Sequence, residues 1–229
     1  MSTAVAQKAP FSVRLRNWVS NNVLKVYAFI AFLYLLLPVA YTFVFSFNDA
    51  GRTNIVWQGF TLDNWKNPCG APQVCESVVN SIVLALGVTI ASTILGTMIA
   101  FALVRYQFRG RGTTNLTIFL PMATPEVVLG SSLLALFLNI FVPLGFWTVF
   151  IAHVMFCISF VVVTVKARLA SLDPRLEQAA MDLYANERET FRKITLPLVA
   201  PGIAAAALLA FSLSFDDFII TNFNSGQFT

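Results

Sequence analysis

The sequence predicts an all-α fold, a polytopic bundle of transmembrane helices that forms a single domain over residues 1–229. Hydrophobic residues make up 57% of the chain and charged residues only 11%, with a mean hydropathy of +0.74. A soluble protein carries about 25% charged residues. The second observation is a series of long apolar runs, each close to the roughly 20 residues that a helix needs to cross a bilayer. Most of the surface is therefore expected to face hydrocarbon.

The first span follows a basic amino-terminal segment. Residues 1–25 carry Lys8, Arg14, Arg16 and Lys25 and no acid, and residues 26–47 carry no charge. An uncharged run of that length is too long for the core of a signal peptide and has no small-residue cleavage site behind it. We therefore expect a spanning helix there.

Four further spans are expected after a polar loop over residues 47–77, within a spanning region of 26–223. The third is interrupted by Pro121, Pro125 and Glu126, and the fifth is expected to reach about Phe223. Five spans leave the carboxyl terminus outside, and we expect that a sixth helix is missing there. The four predicted spans are 78–104, 116–138, 146–165 and 194–223.

Orientation is predicted by the placement of the basic residues. Thirteen of the fifteen Lys and Arg residues lie before the first span, between the second and third, or between the fourth and fifth. Cytoplasmic loops carry such an excess, so the amino terminus is expected in the cytoplasm of a bacterial inner membrane. The net charge of +4 is explained by this placement and does not indicate a nucleic-acid partner.

The three cysteines divide into two groups. Cys157 lies in an apolar run and is expected to be inert packing. Cys69 and Cys75 lie in the outward-facing loop, where a disulfide can form in an oxidising compartment. From the residues alone, free thiols are equally consistent with this spacing.

The charged segment 166–197 is predicted to form two short amphipathic helices. In the first, Asp173 suits an N-cap and Pro174 the first helical position. In the second, Asn186 begins a capping box that Glu189 completes. Arg192 and Lys193 are expected in its last turn, before Pro197 marks the entry to the fifth span. An apolar stripe on the first helix needs a groove on a partner protein, or lipid headgroups, to cover it. The stripe consists of Leu172, Leu176, Ala179, Ala180 and Leu183.

The same segment resembles the cytoplasmic loop E-A-A-x3-G-x9-I-x-L-P of binding-protein-dependent ABC importers. Gln178-Ala179-Ala180 stand at the first three positions, with Glu177 adjacent, and Ile194-Thr195-Leu196-Pro197 at the last four. Tyr184 takes the place of the glycine, where a left-handed backbone conformation is expected. The resemblance implies that this coupling loop docks an ATPase, through residues that include Glu177, Gln178, Leu183, Tyr184, Ile194, Leu196 and Pro197.

Other segments resemble the spermidine/putrescine permeases within that family. They are Gly59-Phe60-Thr61-Leu62-Asp63-Asn64-Trp65, Asn80-Ser81, Pro125-Glu126-Val127-Val128-Leu129-Gly130 and Ser214-Phe215-Asp216-Asp217-Phe218.

The resemblance implies a non-catalytic subunit that forms half of a translocation pathway. Its implied partners are membrane lipid, a second permease, two ATPase subunits and an external solute-binding protein. No G-x-x-x-x-G-K-[ST] loop occurs, so ATP and Mg are expected on the partner ATPase and no cofactor on this chain. Ferric iron, phosphonates and thiamine are alternative substrates, and an ion-coupled secondary transporter is the alternative class.

Ionisable residues within the predicted spans are candidates for the pathway. Insertion scales give a carboxylate at the bilayer centre a cost of about 2.5–3.5 kcal/mol, so such groups usually face a cavity or a partner. Asp216 and Asp217 either line the pathway or lie at the outer headgroup boundary, and only one can face the pathway fully. Glu126 either caps a helix, which is favoured, or lines the pathway. His153 is expected to bond a neighbouring helix, since nothing near it in sequence suggests a metal site.

Overall fold

In the computed structural model, residues 11–50, 53–70 and 73–226 are described, with side chains from Asn22 onward. These residues fall into two compact units that divide between Pro72 and Gln73. Ten α-helices and one π-helical segment are found in the described ranges, and no β-strand. The elements are α1 (Phe11–Phe45), α2 (Asp63–Lys66), α3 (Val74–Arg105), α4 (Arg111–Ala123), α5 (Glu126–Asn139), α6 (Phe146–Ala170), α7 (Arg175–Asp182), α8 (Glu187–Thr190), the π-helical segment (Phe191–Thr195), α9 (Leu196–Asp216) and α10 (Ile219–Asn224).

Four helical stretches of the described residues are long and apolar enough to cross a membrane, and α4 with α5 would make a fifth. The helical membrane fold expected from composition is therefore confirmed. The third predicted span is not one straight helix, however, because α4 and α5 meet at 109°. Pro125 explains the break, since the residue before a proline is driven out of the helical region. Thr124 accordingly has an extended backbone (φ −86°, ψ 132°). The four described stretches that are long and apolar enough to cross a membrane are Asn22–Phe45, Val74–Arg105, Phe146–Ala170 and Glu187–Asp216.

The fifth predicted span also differs from the structure. Its helix ends at Asp216, the backbone becomes extended at Asp217 (ψ 112°), and a separate short helix, α10, follows. The prediction of a helix running to about Phe223 was therefore wrong. Because apolar residues lie on both sides of the break, the sequence alone did not indicate it.

In the first unit, the loop after α1 is organised around the side chain of Asn48, which has no exposed surface. Its Oδ1 accepts a hydrogen bond from the backbone N–H of Gln58 (2.7 Å). Its Nδ2 donates to the carbonyl oxygen of Val56 (2.9 Å) and to Oδ1 of Asn54 (2.8 Å). A buried amide with partners on both of its ends fixes the loop that surrounds it.

The segment 59–65, which resembles polyamine permeases, fastens onto the end of α1. Asn64 Nδ2 donates to the carbonyl oxygen of Ser46 (3.0 Å), and Trp65 Nε1 donates to Ser46 Oγ (3.2 Å). The Trp65 ring also stacks on Phe47, with 5.6 Å between ring centroids. The polar loop expected from the sequence is thus a folded segment held by side-chain bonds.

The core of the second unit lies between α3, α6 and α9, with α6 the most buried of the three. Gly96 allows α3 and α6 to approach closely, because a Cβ atom there would lie 2.6 Å from Cγ1 of Val161. Small residues at helix contacts are typical of membrane bundles, where backbone proximity replaces the hydrophobic effect as the source of association. Beside this core, α5 packs against α10.

Candidate functional site

The first helix of the coupling loop begins at Arg175, one residue later than predicted. Asp173 lies one residue before the N-cap, and its Oδ1 accepts a hydrogen bond from the backbone N–H of Arg175 (2.9 Å). Pro174 takes the N-cap position with a helical backbone. A carboxylate close to the first N–H groups of a helix favours that end electrostatically.

Glu177 is the residue of this helix with the most polar contacts. Its carboxylate receives two hydrogen bonds from the guanidinium of Arg105, the last residue of α3, one of them 2.5 Å long from Nη1 to Oε2. Oε1 also accepts from the hydroxyl of Thr195 (2.6 Å), in the π-helical segment. The Arg105 hydrogen bond is the main cause that lowers the pKa of Glu177, so its carboxylate stays charged at neutral pH. The role of Arg105 could not be predicted from the sequence, because 72 positions separate this residue from its partner.

The helix α7 ends in a Schellman motif that requires a left-handed residue. The backbone N–H of Ala185 donates to the carbonyl oxygen of Ala180 (3.1 Å), and the N–H of Tyr184 donates to that of Met181 (3.0 Å). Tyr184 has φ +63°, so the left-handed conformation expected at this position is present. A residue other than glycine adopts that backbone conformation at a free-energy cost of about 1–2 kcal/mol. Tyr184 is 98% exposed.

The predicted apolar stripe of α7 does not act as one surface. Ala180 is only 7% exposed and is buried within this chain, and Leu172 packs against the hydrophobic core. Leu176 and Ala179 are exposed, and Leu183 is 81% exposed. The surface left for a partner therefore consists of Leu176, Ala179 and Leu183, with Tyr184 beside Leu183.

The second predicted helix of the loop has the capping box expected from the sequence. Asn186 Oδ1 accepts from the backbone N–H of Glu189 (2.9 Å), and Glu189 Oε2 accepts from that of Asn186 (3.4 Å). The prediction that this helix ends before Pro197 was wrong. It continues through the π-helical segment into α9, and Pro197 is the second residue of α9, directly after that segment. Of the motif's last residues, Ile194 is half-buried, and Leu196 and Pro197 are exposed.

The three acidic residues singled out in the sequence lie around one cavity of about 260 Å3. It forms where α5 begins and where α9 breaks, so the two helix interruptions bring Glu126, Asp216 and Asp217 together. Glu126 is the first residue of α5, and it lines this cavity. Glu126 and Asp216 are exposed in the structure. Phe156, Ser212, Leu213, Phe218 and Ile219 complete the lining.

Asp217 differs from the other two carboxylates because its side chain is only 3% exposed. Its Oδ1 accepts hydrogen bonds from the backbone N–H groups of Ile220 (2.8 Å) and Thr221 (3.2 Å), and so caps α10. Two backbone donors stabilise a carboxylate where water is scarce. The geometry of Asp217 is therefore that of a structural cap, and Asp216 and Glu126 are left open to the cavity.

His153 is buried beside this cap and joins three helices. Its Nδ1 lies 2.9 Å from Ser214 Oγ in α9, and its Nε2 lies 3.0 Å from Thr221 Oγ1 in α10. The same nitrogen is 3.7 Å from Asp217 Oδ1. The histidine thus has the helix-to-helix contacts expected of it. Cys157, one helical turn further along α6, is a free and fully buried thiol, in keeping with packing.

The comparisons with known proteins agree with this geometry. Residues 77–225 match the family of the binding-protein-dependent transport system inner membrane component. The chain belongs to this family. The match spans the coupling loop, the acidic cavity and every helix of the second unit from α4 to α10.

Several curated members of the family are similar over most of the chain. The spermidine/putrescine transport system permease protein PotC of Escherichia coli K12 is 39% identical over 193 residues, which are 84% of this chain and 73% of that protein. PotC of Haemophilus influenzae is 36% identical and matches 87% and 77% of the two chains. The putrescine transport system permease protein PotI of Escherichia coli K12 is 36% identical and matches 86% and 72%.

One solved structure has a similar fold. It is a bacterial ABC transporter involved in the import of the acidic polysaccharide alginate, with a TM-score of 0.58 and 20% sequence identity. The alignment covers 91% of this chain and 74% of that one. The similarity supports the arrangement of helices described above.

Proposed function

We propose that this chain is the permease subunit of an ATP-driven importer of polyamines. The substrate class is inferred from the acidic cavity. It also agrees with the relatives of the chain, which are named as spermidine/putrescine and putrescine permeases. Polyamines are flexible dications or trications, and they must exchange hydration for other contacts while crossing. Carboxylates attract such cations, and the attraction strengthens as the surroundings become less polar than bulk water. An anion such as a phosphonate would instead be repelled.

The open carboxylates of Glu126 and Asp216 are the proposed contacts for the ammonium groups. The rings of Phe156 and Phe218 line the same cavity and suit the cation as well, because aromatic faces attract cations. Asp217 holds the wall of the cavity through its cap on α10. The cavity volume of about 260 Å3 is close to the lower end of ligand sites, in keeping with a slender substrate.

The proposed assembly contains a second permease, two ATPase subunits that bind ATP and Mg, and an external solute-binding protein. The chain itself would hydrolyse no ATP. Leu183 and Tyr184 form the proposed contact with the ATPase, since both are highly exposed at the end of an ordered helix. An exposed apolar pair next to polar surface is typical of a protein contact.

Uptake by the reconstituted complex tests this function. Proteoliposomes containing both permeases and the ATPase, with binding protein outside, are expected to accumulate labelled putrescine or spermidine only when ATP is hydrolysed inside. Uptake driven by an ion gradient without ATP would point to a secondary transporter. Uptake of ferric iron, a phosphonate or thiamine, without uptake of putrescine or spermidine, would contradict the proposal that polyamines are the substrate.

We also propose that the amino terminus is cytoplasmic and that Cys69 pairs with Cys75 on the outer side. Both lie in the polar segment predicted to face outward, where an oxidising compartment favours a disulfide. An impermeant thiol reagent on intact cells should label them only after reduction, and should not label the buried Cys157. The variant Arg188→Cys should be labelled only after permeabilisation. Labelling of Cys69 without reduction argues against the disulfide, and labelling of Arg188→Cys in intact cells argues against the orientation.

A further inference from the structure

The contacts of Glu177 connect the coupling loop to two spans at once. Through Arg105 the carboxylate is joined to the cytoplasmic end predicted for α3, and through Thr195 to the π-helical segment that leads into α9. Thr195 is 2% exposed, so this second bond is buried. We call the three side chains Arg105, Glu177 and Thr195 the coupling clamp.

Packing alone does not hold α7 against α3. The helix α7 packs mainly against α8 and the π-helical segment. A cavity of about 830 Å3 opens beside the clamp, and Arg105, Glu177 and Thr195 are all part of its wall. In the part of the chain that the structure describes, the Arg105–Glu177 ion pair is the polar link between α7 and α3. With open space beside it, a movement of α7 would reach α3 chiefly through this pair.

The π-helical segment gives the second connection a particular character. Helical turns with i→i−5 hydrogen bonds are rare, and such segments are frequently found at functional sites. Here it lies between the capped start of α8 and the span α9, and its Phe191 packs edge-on against Phe101 of α3, with 5.4 Å between ring centroids. Thr195 is its last residue. The clamp therefore fastens the one irregular turn between the loop and α9.

We propose that Glu177 is a positioning residue that converts movement of the coupling loop into movement of α3 and α9. The proposal rests on the proposed function, because it takes the ATPase as the source of that movement. The bidentate geometry is what suits the role, since two parallel bonds between Arg and a carboxylate fix orientation as well as distance. A pair joined by a single hydrogen bond would transmit force along that bond but would let the two side chains rotate relative to each other.

The test compares the coupling ratio, substrate transported per ATP hydrolysed, in reconstituted complexes. Glu177→Gln and Arg105→Gln keep the size of each side chain and remove the ionic fork. We expect each variant to assemble with the ATPase and to hydrolyse ATP, with a coupling ratio at least threefold lower. The exchanged pair Arg105→Glu with Glu177→Arg should recover at least half of the wild-type ratio, because the fork is rebuilt in reverse.

The matched control is Lys193→Gln, which breaks an exposed ion pair with Glu189 on the same loop. Its coupling ratio should stay at the wild-type value. An unchanged ratio in both clamp variants would overturn the proposal, as would loss of the ATPase from those complexes, which indicates a role in holding the docking surface alone. If the wild-type chain fails to bind any ATPase, the proposed function itself fails, and that result is distinct from an assembled complex with unaltered coupling.

Discussion

Replacing Leu183 with glutamate is expected to remove the ATPase subunit from the purified complex while the permease still inserts in the membrane. Leu183 is 81% exposed at the end of α7, so the substitution places no charge inside this chain. In the complex, the new glutamate would place an unpaired, buried carboxylate in the proposed contact between the permease and the ATPase. Losses at central contact residues reach about 2 kcal/mol or more, which corresponds to roughly thirtyfold weaker association. Co-purification yield and ATP-dependent uptake both measure the effect.

Two further variants separate docking from folding. Gln178→Glu adds the same charge to the same helix at an exposed position, and the family pattern has an acid there, so binding should persist. Ala180→Glu places the charge at a buried position within the loop, so we expect loss of folded permease. If Leu183→Glu binds the ATPase at wild-type yield, the docking surface lies elsewhere on the loop.

Removing the charge of Asp216 is expected to lower polyamine transport several-fold, and removing that of Asp217 is expected to have a smaller effect. Asp216 is open to the acidic cavity, so Asp216→Asn removes an attraction for the substrate. In Asp217→Asn the amide oxygen can still accept from Ile220 and Thr221, and so α10 keeps its cap. Glu126→Gln should resemble Asp216→Asn. Initial rates of labelled putrescine uptake in proteoliposomes measure all three.

Two controls accompany these substitutions. Affinity of the external binding protein for polyamine should be unchanged, because its site is on another chain. Asp217→Ala should reduce the stability of the permease, since loss of a capping side chain costs about 1 kcal/mol. Undiminished transport by the Asp216→Asn, Glu126→Gln double variant would leave the cavity without a substrate role and would remove the physical argument for a cationic cargo.

Features set by neighbouring residues could be predicted from the sequence. The uncharged runs predicted the long helices, and Asn186 with Glu189 predicted a helix start that is present in the structure. The spacing of the coupling motif predicted a left-handed backbone at Tyr184, which the structure has despite the missing glycine. Each of these depends on contacts within a few positions, so a linear pattern contains the information.

Features set by distant residues could not be predicted. Nothing near Arg105 in the sequence indicates that it pairs with Glu177, because the fold alone brings them together. The unequal roles of Asp216 and Asp217 follow from the break between α9 and α10, and apolar residues on both sides conceal that break. Similarly, a bend of 109° follows Ala123 within a run that hydropathy treats as one segment.

The buried Asn48 has a consequence for any reagent directed at the segment after α1. Residues 53–66 owe their shape to bonds with Ser46 and Asn48, which lie outside that stretch. A synthetic peptide of residues 53–66 lacks those partners and would sample many conformations. Antibodies raised against the free peptide would therefore select shapes that the intact protein rarely displays. An immunogen that begins within the last turns of α1 would retain the native epitope.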